Sequence, residues 1–239
     1  MKIAVLMYGK PRFLEEGFKY FSIFFNETDV DYYFHLWKGE NTIQKINKLY
    51  KPKQLIVEDQ VDNLESQFNI KFDLSYTNKD VQTTLSTLLS MNKVGKLLIQ
   101  SEQEYDLVVL TRTDIAPEGS TFKELFTKGI DETAVYINFT KGKFWKLTKS
   151  KKYNKNRKGV DLKFIASTKQ NIIELTKIYE NLESLISKNR VHFCHHRLFY
   201  FTLSKNVKRF KYLKLHQNNF SFGWHIIRKN DSGVYLGSR

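Results

Sequence analysis

Cysteine and long apolar runs are scarce in this 239-residue sequence. The single cysteine, Cys194, excludes an intramolecular disulfide framework and so favours a reducing compartment. The first apolar run stops at Gly9, too early for a signal peptide, and no run reaches the roughly 18 apolar residues of a membrane-spanning helix. We therefore expect a cytoplasmic protein whose contact with an anionic membrane, if it has any, is peripheral.

Acidic residues are also few: the sequence has 25 Asp and Glu and 39 Lys and Arg, which gives a formal net charge of +14. This charge favours an anionic partner, such as a nucleotide, a nucleic acid or a charged membrane face, without choosing among them. Hydrophobic residues make up 41% of the chain, which is enough to build a packed core.

The first half of the chain alternates between strand and helix patterns. Apolar runs predict strands at 2–8, 31–37, 54–58 and 105–111. Apolar residues at helical spacing predict helices from near Phe13, over 43–50 and over 81–104. This order predicts an α/β fold, a Rossmann-like and mostly parallel central sheet flanked by helices. Ligands bind such sheets beyond the carboxyl ends of the strands, where residues 9–12, 37 and 112–114 would lie.

The second half has a different character. Strands are predicted at 134–139 and 161–166, and helices at 169–187 and 191–203, giving a helical C-terminal part. Residues 141–158 carry nine Lys or Arg with little hydrophobic period, which predicts a solvated loop. No internal repeat or linker composition divides the chain, so we expect one domain over 1–239.

Arg112 and Asp114 follow directly on the apolar run of the fourth predicted strand. Residues two apart on an extended chain point to the same side, so both charges would face one space. One interpretation is an ion pair that closes the strand end. The other is a site for a sugar diphosphate, in which the guanidinium and a divalent metal on the carboxylate neutralise the phosphates.

Several segments together resemble a known family. GKPR at 9–12 ends the first strand, VDYYFHLW at 30–37 forms the second, and YDLVVLTRTD at 105–114 contains the fourth. In this order they resemble GT-A-type glycosyltransferases of bacterial and viral surface-polysaccharide synthesis, and VDLKFIAS at 160–167 extends the likeness more faintly. The resemblance implies transfer of a sugar from a nucleotide-diphosphate-sugar donor to a glycan or lipid-linked acceptor. Residues 1–115 would be the nucleotide-binding half and 116–239 the acceptor-binding half.

The resemblance also implies roles for individual residues. Asn92 and Lys93 would flank the base or ribose, and Asp114 would stand where the family has the last acid of a D-x-D motif. Asp114 would bind Mn²⁺ or Mg²⁺ or the donor sugar, but Arg112 replaces the first acid, so metal-independent neutralisation is the alternative. The expected substrate-binding residues from the strand ends are Tyr8, Gly9, Lys10, Arg12, Trp37 and Arg112.

Three more residues come from the second half. Asp161 is the candidate base that would deprotonate the acceptor hydroxyl in an inverting reaction. The alternative interpretation is that Asp161 is an acidic residue of the turn that starts a strand. His225 and Arg228 would reach the metal or the diphosphate, unless this segment only closes the C-terminal core. His192 and His196 are at i and i+4 of the last predicted helix, but the sequence lacks the further ligands of a zinc site. His35 is expected to be a hydrogen-bonded core residue.

A function of another class stays open, namely non-catalytic binding of a nucleic acid or another polyanion. Aromatic residues lie among the charges of 141–158 and 205–214, as in single-strand binders. No helix-turn-helix, zinc-finger or RNP pattern is present, so we expect no nucleic acid as partner. A nucleotidyltransferase is disfavoured because GKPR is not a glycine-rich phosphate loop.

Overall fold

A computed structural model describes residues 1–72, 81–118, 121–126, 129–138, 164–206, 209–213, 223–230 and 233–237. The strands within these ranges are β1 (Lys2–Gly9), β2 (Asp29–Trp37), β3 (Gln54–Glu58), β4 (Leu107–Thr111), β5 (Ile115–Glu118), β6 (Ala134–Asn138), β7 (Phe164–Ser167), β8 (Arg209–Leu213), β9 (Gly223–Asn230) and β10 (Gly233–Gly237). The α-helices are α1 (Leu14–Phe24), α2 (Thr42–Leu49), α3 (Val81–Gln100), α4 (Phe122–Leu125), α5 (Lys169–Thr176) and α6 (His195–Asn206).

The central sheet has seven strands in the order β3-β2-β1-β4-β7-β6-β8. Strands β3, β2, β1 and β4 are mutually parallel, β7 is antiparallel to both of its neighbours, and β8 is parallel to β6. Helices α1 and α2 pack together, and α3 packs on β1, β2 and α5. The predicted α/β architecture with a mostly parallel, helix-flanked sheet is confirmed.

Each face of the sheet carries its own hydrophobic core. Along β1, Ala4, Leu6 and Tyr8 belong to the core under α3 and α5, whereas Ile3, Val5 and Met7 belong to the core under α1. These residues are at most 1% exposed. A strand covered on both faces needs apolar residues at every position, which explains why β1 and β4 are unbroken apolar runs in the sequence.

Helix α1 begins after a turn that brings it close to the end of β4. Phe13 precedes the helix with φ 51°, in the left-handed region that non-glycine residues seldom adopt. Leu14, Gly17, Phe21 and Phe24 form the buried face of the helix. A Cβ on Gly17 would lie 2.1 Å from the Thr113 carbonyl oxygen, so only glycine allows this approach.

The C-terminal part differs from the helical prediction. Besides α6 it contains β8 in the central sheet, and β9 and β10, which form a second sheet with β5 in the order β10-β9-β5. Helix α5 ends at Thr176, where 169–187 was predicted to be one helix, and a π turn follows at Ser184–Lys188. Strands β8 and β9 pair with β6 and β5, which are distant in sequence, so local apolar patterns do not identify them.

Several element ends also differ. Helix α3 stops at Gln100 instead of 104, and the Ser101 amide makes its last turn by donating to both the Leu97 and the Leu98 carbonyls. Helix α6 begins at His195, so His192 precedes it and the assumed i, i+4 pair with His196 does not form on one helix. The predicted loop at 141–158 and the first residues of the predicted strand at 161–166 lie outside the described residues. Among the helices that are described, none has the length and apolar character to cross a membrane.

Candidate functional site

The candidate site lies where the connections of the central sheet diverge. From β1 the chain moves outward to β2 and β3, and then returns to place β4 on the other side of β1. The carboxyl ends of β1 and β4 therefore flank a crevice, the usual ligand site of an open α/β sheet. The main cleft found there is lined by Tyr8, Gly9, Lys10, Arg12, Trp37, Gln60, Thr83, Thr84, Ser86, Thr87, Arg112, Asp114 and His195.

The turn after β1 is fixed to the end of β4 by the buried side chain of Thr113. The Arg12 amide donates to Thr113 Oγ1 at 3.2 Å, and the same hydroxyl donates to the Arg12 carbonyl at 2.9 Å. Gly9 has φ 98°, and its amide donates to Ser90 Oγ in α3 at 2.8 Å. Lys10 and Arg12 consequently stand on a backbone that is held from two sides.

Arg112 and Asp114 form an ion pair with each other. The Arg112 Nε–H group donates to Asp114 Oδ1 at 2.8 Å, and Nη2 donates to Oδ2. The Asp114 side chain is 4% exposed and that of Arg112 is 31% exposed. A bidentate pair of this kind fixes the orientation of the guanidinium, and Asp114 uses two of its five N–H groups.

This pairing bears on the predicted metal. Both carboxylate oxygens of Asp114 accept hydrogen bonds from Arg112, so the guanidinium would compete with a cation for them. Over the described ranges no group of three or more His, Cys, Asp or Glu side chains could hold a metal ion. Hard divalent cations need several oxygen ligands, so the described residues do not fit a Mn²⁺ or Mg²⁺ site. Metal dependence stays a prediction.

The main cleft has a positive electrostatic character. Lys10 and Arg12 are exposed and form no ion pair within the described part of the chain, whereas Arg112 is neutralised by Asp114. Thr83 and Thr84 belong to the first turn of the 20-residue helix α3, whose N-terminal amides carry a partial positive charge. Helix N-termini with nearby cations bind phosphate groups well.

A buried network stands behind the turn after β1. His35 is fully buried, with Nδ1 2.8 Å from Ser90 Oγ and Nε2 3.2 Å from Glu58 Oε1. Burial lowers the pKa of His35 and outweighs the opposing effect of Glu58. Burial raises the pKa of Glu58, but hydrogen bonds from Lys93 and His35 outweigh it and leave the pKa lowered. A neutral His35 ring between Ser90 and an ionised Glu58 follows, which confirms His35 as a hydrogen-bonded core residue.

The structure brings most of the predicted site residues together. Lys93 does not line the main cleft but pairs with Glu58 and lies 5.9 Å from the ring centroid of the lining residue Trp37. Asn92 is 3% exposed and donates to the Thr176 carbonyl at 3.2 Å, so it lies between α3 and α5, away from the cleft. The predicted residues that line the cleft are Tyr8, Gly9, Lys10, Arg12, Trp37, Arg112 and Asp114.

The predicted residues of the second half lie elsewhere. Arg228 lines an adjoining groove together with Arg12. His225 pairs through its backbone with Ala116, between β9 and β5. Asp161 lies outside the described residues, and its role as the base stays a prediction.

Six lining residues were not predicted from the sequence: Gln60, Thr83, Thr84, Ser86, Thr87 and His195. A helix that follows a parallel strand starts at the carboxyl edge of the sheet, so the hydroxyl-rich start of α3 was a usable signal. His195 gave no comparable signal, because it depends on where α6 returns after the antiparallel strands. Its Nε2 lies 3.0 Å from Nε2 of His196.

No protein-family model matches this chain, and no curated protein matches it significantly.

Proposed function

We propose that the protein is a glycosyltransferase that moves a sugar from a nucleoside-diphosphate sugar to a hydroxyl group of a glycan or lipid-linked acceptor. The observation that carries this proposal is a cationic cleft at the point where the strand connections diverge, with Lys10 and Arg12 on one side and the start of α3 on the other. The resemblance of 9–12, 30–37 and 105–114 to GT-A-type glycosyltransferases supports the same activity.

The cleft suits a diphosphate leaving group. When the bond from the anomeric carbon to the diphosphate oxygen breaks, the electron pair stays on the diphosphate and its negative charge grows. Lys10, Arg12 and the N-terminal amides of α3 would stabilise this charge more strongly in the transition state than in the bound donor. Arg112, oriented by Asp114, adds further N–H donors at the same edge.

The acceptor side of the reaction needs a proton to be removed. The acceptor oxygen forms the new bond to the anomeric carbon, and its hydroxyl proton passes to a base if the configuration inverts. Asp161 is the residue predicted for this role. An Asp161→Asn protein should keep donor binding and lose transfer by a hundredfold or more if the enzyme inverts.

A nucleotide-release screen over the common nucleotide sugars tests the activity, since slow hydrolysis reveals the donor without a known acceptor. Thermal unfolding with UDP, GDP and dTDP tests binding alone, with EDTA in one series and Mn²⁺ in another. We expect one nucleotide to stabilise the protein and the Lys10→Gln/Arg12→Gln protein to bind it about tenfold or more weakly, a loss of about 1.4 kcal/mol.

The matched control is Lys19→Gln/Lys48→Gln, which removes two exposed lysines on α1 and α2, outside the residues that line the cleft. Its nucleotide affinity should stay within about twofold of the unchanged protein. The proposal fails if no nucleotide binds, or if both double variants lose the same affinity.

A further inference from the structure

A second groove adjoins the main cleft. Arg12, Phe13, Arg228 and Lys229 line it, and we call it the basic groove. Arg12 lines both the basic groove and the main cleft, so a ligand in one lies beside a ligand in the other.

The two walls of the basic groove are anchored to adjacent residues just after β4, one wall to Thr113 and the other to Asp114. The Arg12 backbone is bonded on both its amide and its carbonyl to Thr113 Oγ1. On the other wall, the Ile227 amide donates to the Asp114 carbonyl at 2.9 Å, directly before Arg228. The groove is therefore a feature of the folded core and not a chance meeting of surface side chains.

The backbone of one wall is held in an uncommon conformation. Phe13 has φ 51°, which costs energy for a non-glycine residue and persists where the surrounding structure imposes it. This conformation places an aromatic side chain beside Arg12 at the entrance to α1.

Among its described lining residues, the charges of the basic groove are all of one sign. Arg12, Arg228 and Lys229 are cations, and none of the described lining residues is a carboxylate. Within the described residues Arg12, Arg228 and Lys229 form no ion pair, although this chain pairs many of its other lysines with acids. Adjacent like charges repel each other and raise the local concentration of an anion, so the groove is complementary to a negatively charged group.

We propose that the basic groove binds the acceptor, and that the acceptor is a glycan carrying a phosphate or carboxylate group close to the hydroxyl that is glycosylated. This inference rests on the proposed glycosyltransferase function. Arg12 would contact both the donor diphosphate and the acceptor anion, which brings the acceptor next to the breaking bond. The half-buried Arg228 suits the anionic group of a sugar, and the Phe13 ring suits the apolar face of that sugar.

The test is a titration followed by backbone amide chemical shifts. The full chain, first saturated with the nucleotide that binds it, is titrated with glucose 6-phosphate, glucuronate and uncharged glucose. We expect the two charged sugars to shift the amides of Phe13, Arg228 and Lys229, and glucose to shift them at least tenfold more weakly. Equal responses to all three sugars would overturn the inference.

Variants separate the basic groove from the donor site. The Arg228→Gln/Lys229→Gln protein should bind the charged sugars tenfold or more weakly and change its nucleotide affinity by less than twofold. The control Lys19→Gln/Lys48→Gln should change neither affinity. An equal loss of nucleotide affinity in the Arg228→Gln/Lys229→Gln protein would make the groove part of the donor site and refute its acceptor role. Retained glucose 6-phosphate binding in that protein would refute the groove as the anion site.

Two further outcomes have to be distinguished. One is that the groove binds a membrane surface instead of a sugar, and the other is that the proposed glycosyltransferase function itself fails. Sedimentation with phosphatidylserine vesicles that depends on Arg228 and Lys229, without any response to the charged sugars, would assign the groove to a membrane surface and overturn the inference. If no nucleotide binds, the proposed function fails and the acceptor role fails with it. A charged-sugar response of the groove in the nucleotide-free protein would then still establish the anion site.

Discussion

At the scale of single residues, Arg112 and Asp114 have to be treated as one unit. The carboxylate is almost fully buried, and its two oxygens both accept hydrogen bonds from the guanidinium. A buried charge without its partner is expensive, whereas removing both members of a pair often costs little. The pair therefore gives the buried Asp114 side chain its hydrogen-bond partner and holds Arg112 at the rim of the main cleft.

Removing the guanidinium should consequently destabilise the fold more than removing the acid. We expect Arg112→Ala to lower the free energy of unfolding by about 3 kcal/mol, because it leaves the Asp114 carboxylate buried and unpaired. Asp114→Asn should cost less, since Arg112 is 31% exposed and reaches water. The double variant should be more stable than Arg112→Ala alone. Urea unfolding of the four proteins measures this, and strictly additive costs would contradict the coupling.

His35 gives a second residue-scale expectation, which concerns pH. Burial lowers the pKa of His35 in the folded protein. Near pH 6.5 the unfolded chain therefore binds a proton on this ring more readily than the folded protein does. The free energy of unfolding should therefore fall as the pH drops below about 6.5. Glu58, whose folded pKa is also lowered, adds a further loss below about pH 4.5.

The matched measurement compares the unchanged protein with His35→Gln between pH 7.5 and 5.5. The variant lacks the titrating ring, so its free energy of unfolding should decline less over this interval, whatever its absolute stability. Urea unfolding at several pH values gives both slopes. Identical slopes would show that His35 does not contribute to the pH dependence.

At the scale of the elements, two glycines mark close contacts with different consequences. A Cβ on Gly17 in α1 would meet the Thr113 carbonyl oxygen at 2.1 Å, and a Cβ on Gly95 in α3 would meet Thr176 Oγ1 of α5 at the same distance. Thr113 anchors the turn that carries Lys10 and Arg12, whereas Thr176 lies between two helices remote from the cleft.

We therefore expect Gly17→Ala and Gly95→Ala each to cost about 1 to 3 kcal/mol of stability, as overpacked core sites do. Only Gly17→Ala should also weaken nucleotide binding, by severalfold, because it pushes α1 away from Thr113. Unfolding curves and nucleotide titrations on both variants give the comparison. A loss of affinity in the Gly95→Ala protein of the same size would show that affinity follows general stability and not the Thr113 contact.

The elements also show what the sequence could and could not predict. Strands β1 to β4 and helices α1 to α3 were predictable because each buried strand is an apolar run and each helix has one apolar face. Strands β8 and β9 were not, since they pair with β6 and β5, which are distant in sequence, and β10 is an edge strand that pairs with β9. The rim residues on β1 and β4 followed from topology, but the mutual pairing of Arg112 and Asp114 depends on side-chain placement that no pattern reveals.

At the scale of the whole molecule, the two predicted halves share their cores. Leu6 and Val135 lie in one core, and Val5 and Phe164 lie in the other. Residues of 1–115 and of 116–239 therefore bury apolar side chains against each other, and the single domain stays a prediction. The Thr113 hydroxyl and the Asp114 carbonyl join the main cleft and the basic groove to this same unit.

The net charge of +14 bears on the whole surface and separates the two classes of function. A polyanion responds to total charge, so an oligonucleotide should bind at low salt and lose affinity steeply toward about 150 mM salt. Lys10→Gln/Arg12→Gln and Lys19→Gln/Lys48→Gln both lower the charge from +14 to +12 and should weaken oligonucleotide binding equally. Nucleotide affinity should fall only in the first variant.

Oligonucleotide binding that survives at physiological salt and depends selectively on Lys10 and Arg12 would instead favour a polyanion-binding protein. Fluorescence anisotropy with labelled nucleotide and labelled oligonucleotide, measured across salt concentrations, decides between these outcomes.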